Sequence, residues 1–154
     1  MIRKLQPDEA PPMDLLLLAD PSRKLIESYL KRAECFVMED QSGIVGTYVL
    51  LPTRPDTIEL VNLAVQENFQ NKGIGKQLIS HALQVAREQG FKLIEVGTGN
   101  SSIAQLAFYQ KCGFRITGVD RNFFTEHYEE ELMENGIPCR DMIRLSKVLN
   151  HKTL

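Results

Sequence analysis

The stretch Gln70-Asn71-Lys72-Gly73-Ile74-Gly75 decides the fold, because it lies between a strand pattern and a helix pattern. Residues 58–65 form an apolar run typical of a strand, and residues 74–89 have the spacing of an amphipathic helix. A glycine-bearing turn that opens a helix presents unpaired backbone N–H groups at the positive end of the helix dipole. Its glycines allow a ligand to approach the main chain closely, and Lys72 adds a positive charge. The turn therefore predicts a binding site for phosphate groups.

Two other phosphate-binding patterns do not match this sequence. A nucleotide-binding P-loop has the form Gly-x4-Gly-Lys-[Ser/Thr], but here Gly75-Lys76 is followed by Gln77, and Gln70 replaces the first glycine. A dinucleotide fingerprint has the form Gly-x-Gly-x-x-Gly after a strand, but the run at residues 97–102 ends in serine. ATP, GTP and NAD are therefore poor ligand candidates.

Composition limits the class of protein. The 154 residues fit one domain, and the net charge of −2 argues against a general nucleic-acid binder. Cys35, Cys112 and Cys139 have neither paired nor metal-ligand spacing, which indicates free thiols and no metal. The start of the chain lacks the apolar core of a signal peptide, and the apolar run at residues 15–19 is too short to span a bilayer. We therefore expect a cytoplasmic protein with no nucleic-acid or membrane partner and no metal.

Strand and helix patterns alternate along the chain without an internal repeat or linker, which predicts an α/β domain with a mixed sheet. Asp20-Pro21 predicts the start of the second helix, and Ser101 and Ser102 can cap the fourth. In order, the patterns predict a strand at 2–5, helices at 13–19 and from Pro21, strands at 35–38 and 44–51, a turn at 52–55, a strand at 58–65, a helix at 74–89, a strand at 92–96, a loop at 97–100, a helix ending at Lys111, and strands at 115–119 and 142–148.

The phosphate turn resembles the acetyl-CoA pyrophosphate loop of the GNAT superfamily of N-acetyltransferases. It has the form Gln-x-x-Gly-x-Gly and follows Leu63-Ala64-Val65. Residues 100–114, which end in a Tyr-x-x-x-Gly-Phe pattern, resemble the second CoA-contacting helix of that family, and residues 115–148 resemble a bacterial subgroup of unassigned acceptor. The resemblance covers nearly the whole chain. It implies one N-acetyltransferase domain over residues 1–154, with a mixed, mostly antiparallel sheet of about seven strands flanked by about four helices.

The resemblance also implies the residues that bind acetyl-CoA, the expected cosubstrate. The backbone N–H of Val65 is the family's usual donor to the oxyanion, on a strand that splays from its neighbour. Asn100 is either a contact to the CoA arm or a turn residue. The implied set is Leu63, Ala64, Val65, Gln70, Asn71, Lys72, Gly73, Ile74, Gly75, Lys76, Asn100, Ala104, Phe108, Tyr109 and Lys111.

Tyr109 is the candidate general acid. Transfer of an acetyl group from a thioester to an amine requires a neutral amine, a donor to the oxyanion and a proton for the leaving thiolate. A phenol with a pKa of about 10 keeps its proton at neutral pH and can supply the last of these. Helical spacing places Tyr109 with Ser102, Gln105 and Cys112, away from the expected core residues Ile103 and Leu106. The alternative is a tyrosine that packs at the edge of the sheet.

Glu59 is the candidate base, acting directly or through water. Period-two alternation places Glu59, Val61, Leu63 and Val65 on one face of their strand, with Glu59 farthest from the phosphate turn, where an acceptor amine would approach. Some family members carry a catalytic glutamate at the corresponding position. The alternative is a solvated carboxylate at the start of a strand.

Residues 122–140 combine five glutamates with aromatic side chains, a composition that suits a cationic acceptor or a solvated surface segment. The expected function is transfer of an acetyl group from acetyl-CoA to a primary amine of a small molecule or peptide, by direct attack in a ternary complex. A non-catalytic acyl-CoA sensor and a transferase for another acyl chain are the alternatives. The sequence names neither the acceptor nor the oligomeric state; many relatives form homodimers, which is a further expectation.

Overall fold

Nine strands and five α-helices follow one another along residues 1–149, which are the residues that the computed structural model describes. The expected domain range of 1–154 thus includes five residues, 150–154, that lie outside the described part. The elements are β1 (Ile2–Lys4), α1 (Met13–Ala19), α2 (Arg23–Leu30), β2 (Glu34–Asp40), β3 (Gly43–Arg54), β4 (Thr57–Val65), a 3₁₀ turn (Glu67–Phe69), α3 (Ile74–Glu88), β5 (Leu93–Gly99), α4 (Ile103–Lys111), β6 (Arg115–Asp120), α5 (Phe123–His127), β7 (Leu132–Glu134), β8 (Ile137–Cys139) and β9 (Met142–Val148).

Seven of the strands form one sheet in the order β1-β2-β3-β4-β5-β9-β6, and β7 pairs with β8 in a separate hairpin. Every neighbouring pair is antiparallel except β4 and β5, which are parallel. The expected mixed, mostly antiparallel sheet is therefore confirmed. The short helix α5 is one more than the four expected and lies in the long connection between β6 and β9. Within residues 1–149, no helix has the length and apolar character needed to cross a bilayer.

The two faces of the sheet are covered by different helices. The larger core packs α3 and α4 against one face and contains the fully buried Tyr48, Leu78 and Leu145. The smaller core packs α1 and α2 against the other face, around Leu16 and Ile26. Strands that are buried on both faces explain the nearly continuous apolar runs in the sequence.

A β-bulge at Val61 divides β4 into two halves with opposite orientation. Leu60 pairs with Leu50 of β3 and Asn62 pairs with Val49, so Val61 is an extra residue without a partner. Val61 packs with the α1–α2 core, whereas Leu63 and Val65 pack with the α3–α4 core. The expectation that Glu59, Val61, Leu63 and Val65 share one face is therefore wrong, because one added residue reverses a period-two pattern.

Three boundaries also differ from expectation. The cap of α2 is Ser22, whose hydroxyl accepts a hydrogen bond from Leu25 N at 3.2 Å, because the Asp20 side chain is engaged elsewhere. The expected turn at residues 52–55 is mostly strand, since β3 pairs with β4 as far as Arg54. The expected loop at residues 97–100 is strand through Gly99, which pairs with Met142 of β9.

Leu78 tests how far the α3–α4 core supports the fold. Its side chain is fully buried, so we expect Leu78→Ala to lower the free energy of unfolding by about 2–5 kcal/mol, because the cavity is only partly filled by relaxation. Denaturant unfolding followed by circular dichroism measures this. Ile103→Ala on the half-exposed surface of α4 is the matched control, and an equal loss in both variants would contradict this description of the core.

Candidate active site

The sheet opens between β4 and β5. Their parallel pairing runs from Thr57 with Leu93 to Leu60 with Val96 and then stops, although both strands continue. Residues 61–65 and 97–99 therefore face each other across a gap in the sheet. Both segments line a cleft of about 780 Å³, which also borders α3, α4 and the connection between α1 and α2.

Val65 directs backbone groups into this gap. The next residue, Gln66, donates its N–H to Val45 O of β3 at 2.9 Å. Because successive residues of an antiparallel pair alternate in direction, the N–H and C=O of Val65 point away from β3. The side chain of Gln70 donates to Val65 O at 3.0 Å, which is consistent with that direction. Val65 N–H thus lies at the edge of the gap, where a ligand carbonyl can accept from it.

The start of α3 presents an anion-binding end to the cleft. Gly73 is the N-cap with φ of 83°, and the first helical hydrogen bond runs from Gln77 N to Gly73 O at 3.1 Å. The N–H groups of residues 74–76 precede that bond, and no side chain caps the helix. A Cβ atom on Gly73 would meet no atom of residues 1–149 within 4 Å, so the described part of the chain leaves the space above the turn open. Unpaired N–H groups, the helix dipole and Lys76 together favour phosphate oxygens there.

Tyr109 lines the same cleft and is the buried residue of α4, only 7% exposed. Its ring packs edge-on against Phe108 at 5.3 Å and Phe114 at 5.7 Å between ring centroids. Burial raises the pKa of the Tyr109 phenol, so the group stays protonated at neutral pH. Ser102 and Gln105 line the cleft together with Tyr109, as the helical spacing predicts. The expectation that Ile103 is a core residue is wrong, because its side chain is 52% exposed.

Glu59 lies outside the cleft lining. Its carboxylate pairs with Arg144 at 3.4 Å, and Arg144 also binds Asp120 at 2.7 Å. Burial raises the pKa of Glu59 and the Arg144 charge opposes that shift. The structure therefore places Glu59 in an ion-pair cluster on the sheet, and its role as a base stays a prediction.

The Asn100 side chain connects the end of β5 to the turn before β9 through hydrogen bonds. Its amide donates to Pro138 O at 3.1 Å, and its Oδ1 accepts from Arg140 N at 2.8 Å and Asp141 N at 3.0 Å. Both ends of the side chain are thus engaged by the protein. Of the residues expected to bind CoA, Lys72, Asn100 and Lys111 do not line the cleft, while Leu63, Ala64, Val65, Gln70, Asn71, Gly73, Ile74, Gly75, Lys76, Ala104, Phe108 and Tyr109 do.

The end of the cleft away from α3 contains polar residues that the sequence analysis missed. Asp20 accepts hydrogen bonds from Tyr128 Oη at 2.7 Å and Ser22 N at 3.0 Å. Asn62 is buried and donates to Leu16 O and to Tyr29 Oη. An asparagine inside an apolar strand was the available sequence signal for this region. The Asp20-Pro21 pattern by itself indicates only a helix cap.

The acidic and aromatic segment at residues 122–140 contributes to the cleft only in part. Phe124, Tyr128 and Glu134 line it, whereas Phe123, Glu126 and His127 do not. Glu129, Glu130 and Glu131 border a smaller neighbouring pocket. Among residues 1–149, no group of three or more His, Cys, Asp or Glu side chains could hold a metal ion.

Comparisons with known proteins identify this arrangement. The family model of the acetyltransferase (GNAT) family matches residues 2–114. An uncharacterized N-acetyltransferase of Bacillus subtilis, YvbK, is 56% identical over 132 residues, which cover 86% of this chain and 85% of that protein. The crystal structure of a GNAT family acetyltransferase from Elizabethkingia anophelis with acetyl-CoA bound aligns with a TM-score of 0.95 and 46% identity over 97% of each chain. An IAA acetyltransferase from Bacillus cereus aligns with a TM-score of 0.93 and 54% identity over 97% of this chain and 99% of that one.

The geometry of Asn100 predicts a structural effect. Asn100→Ala leaves the N–H groups of Arg140 and Asp141 without their acceptor, so we expect the free energy of unfolding to fall by about 1–3 kcal/mol. Thermal unfolding with and without CoA measures stability and affinity in one series, with the exposed Gln41→Ala as the control. A large loss of CoA affinity at unchanged stability would instead favour a direct contact to the cofactor.

Proposed function

The chain belongs to the GNAT family of acetyl-CoA-dependent acyltransferases, and we propose that it transfers the acetyl group to a primary amine by direct attack in a ternary complex. The observation that carries the proposal is the gap between β4 and β5, which joins the N-terminus of α3 and the Tyr109 ring in one cleft. Acetyl-CoA would supply the acetyl group as a thioester, activated for attack by an amine. Nothing in the transfer then requires a covalent bond to the enzyme.

The residues around the α3 N-terminus fit the diphosphate of CoA. The N–H groups of residues 74–76 lack intrahelical partners, and the space over Gly73 is open. Gly75 lets α3 approach α4, since a Cβ atom there would lie 3.4 Å from Phe108 Cζ. A phosphate group in this position would accept several N–H bonds at the positive end of a helix dipole. We therefore assign the diphosphate to the turn from Gln70 to Lys76.

The gap suits the arm of CoA that leads from the diphosphate to the thioester. Unpaired strand edges can exchange main-chain hydrogen bonds with the amides of an extended ligand, as an added strand does. The N–H of Val65 is the donor that we assign to the developing oxyanion, because it points into the gap.

Tyr109 is the group that we assign to protonate the leaving thiolate. The proton that the amine loses as the C–N bond forms and the C–S bond breaks then restores the phenol through solvent. Its phenol stays protonated because the surrounding aromatic rings disfavour the charged form. None of the hydrogen bonds found within residues 1–149 includes the Tyr109 hydroxyl, so its proton is not already committed to a protein acceptor. The ring is fixed by Phe108 and Phe114, which limits its rotation.

Gly73→Ala tests the diphosphate site. A φ of 83° is unfavourable for alanine by about 1–2 kcal/mol, so we expect the turn to shift and CoA binding to weaken several-fold in titration calorimetry. Gly118→Ala is the matched control, since Gly118 has no positive φ and a Cβ atom there meets no atom within 4 Å. Equal CoA affinity in both variants and the unmodified protein would contradict the assignment.

Tyr109→Phe tests catalysis. We expect the unmodified protein to release free thiol from acetyl-CoA in the presence of a mixture of primary amines. Removing the hydroxyl should lower turnover by roughly 10²–10⁴-fold while CoA affinity stays nearly constant, because the ring and its packing remain. Thiol release and calorimetry measure the two quantities separately. Unchanged turnover would remove Tyr109 from the mechanism, and CoA binding without thiol release from any amine would indicate an acyl-CoA sensor.

A further inference from the structure

The end of the cleft beyond the β4–β5 gap is lined by Asp20, Asn62 and Tyr128. We propose that this end is the acceptor site, that Asp20 binds the amine of the acceptor, and that the accepted class is a primary amine carried on an apolar group. The inference rests on the proposed function and adds the substrate class.

Asp20 is a carboxylate without a cationic partner. It is half-buried between α1 and α2, and none of the ion pairs in residues 1–149 includes it. Both of its hydrogen bonds, from Ser22 N and Tyr128 Oη, end on Oδ1, so Oδ2 has no donor among the described residues. A partly buried charge is unfavourable unless a partner of opposite sign compensates it. An ammonium group of a ligand is such a partner.

Asn62 provides an independent observation. Its residue is 3% exposed and its Nδ2 is held by Leu16 O at 3.0 Å and Tyr29 Oη at 2.9 Å, which fixes the orientation of the amide. The Oδ1 atom is buried and has no donor within the described residues. A buried acceptor without a partner costs free energy and is rare in folded proteins. Because Asn62 lines the cleft, we assign this acceptor to an N–H group of the bound amine.

Charge is distributed unevenly along the cleft. Among the described lining residues, Lys76 carries the positive side chain and lies at the start of α3, where the diphosphate is assigned. The negative side chains are Asp20, beyond the gap, and Glu134, which accepts a hydrogen bond from Ser102 Oγ at the start of α4. Opposite ends of one cleft therefore favour ligands of opposite charge, an anion beside α3 and a cation beside Asp20.

Apolar side chains also line the cleft, and they define the body of the acceptor. Leu18 and Met133 are 52% and 62% exposed, and both line the cleft together with Phe124, Tyr128 and Met142. Large apolar side chains exposed at the border of a cleft are typical of a surface that a ligand covers. A polycation or an amino sugar would contact these walls poorly, because its surface is polar.

Two sources share the required chemistry, a free arylalkylamine and a peptide whose first residue is apolar. The experiment compares 2-phenylethylamine and the peptide amide Phe-Ala-Ala with spermidine and kanamycin, using thiol release from acetyl-CoA. We expect the first or second compound to have a kcat/KM at least tenfold above those of spermidine and kanamycin, and the better of the two identifies the source. A preference for spermidine or kanamycin would overturn the inference and leave the proposed function intact. No thiol release from any amine would contradict both.

Asp20→Asn then tests the carboxylate with the preferred amine. Asparagine keeps the size and can still accept from Tyr128, so we expect KM for the amine to rise about 10–100-fold while KM for acetyl-CoA changes less than twofold. Asp8→Asn, which removes the same charge from an exposed position, is the matched control and should match the unmodified protein.

Tyr128→Phe provides a second variant that keeps the carboxylate but removes one of its hydrogen bonds. We expect a smaller rise in the KM for the amine than Asp20→Asn causes. Thermal stabilisation by CoA confirms that each variant is folded. An unchanged KM for the amine in Asp20→Asn, or equal rises in the KM values for both substrates, would overturn the assignment of Asp20.

Discussion

The end of pairing between β4 and β5 is the constraint on which the rest of the site depends. The parallel ladder stops after Leu60 and Val96, and the bulge at Val61 follows directly. An added residue bends a strand and increases its twist, so the break in pairing and the bend coincide. Closing the gap would pair the main-chain groups of residues 61–65 with β5 and leave none for a ligand. The catalytic potential of the fold is therefore a consequence of one missing set of backbone hydrogen bonds.

The bulge has a second consequence, because it reverses the alternation of side chains along β4. Before the bulge Leu60 faces the α3–α4 core, and after it Leu63 does. Leu63 and Val65 pack towards α3 and α4, while Asn62 reaches the α1 side and binds Leu16 O. One strand thus contributes to both ends of the cleft, the phosphate end and the end that contains Asp20. The phosphate end and the Asp20 end of the cleft therefore keep a fixed distance, because residues of the same strand line both.

Local signals predicted much of this fold, and long-range contacts account for what they missed. Short patterns of glycine and apolar spacing predict the turn from Gln70 to Gly75, the helix after it and the order of strands. The structure confirms these three features. The bulge at Val61 leaves no such pattern, because an extra residue is visible only in the register with β3. The bond between Asp20 and Tyr128 joins residues 108 positions apart. The expected burial of Ile103 is wrong, since helical spacing alone does not show which apolar side chain of a helix meets the core.

Burial acts on one titratable group at each end of the cleft, the phenol of Tyr109 and the carboxyl group of Asp20. Burial raises the pKa of the Tyr109 phenol, which strengthens its hold on the proton that a leaving thiolate needs. Burial also raises the pKa of Asp20, although the hydrogen bonds from Ser22 and Tyr128 oppose this. A carboxylate with a raised pKa is a stronger base than one in water, and it is more readily stabilised by a nearby ammonium group. The same low-polarity surroundings therefore keep a proton on Tyr109, where the leaving thiolate needs one, and raise the basicity of Asp20, the group to which we assign binding of the acceptor amine.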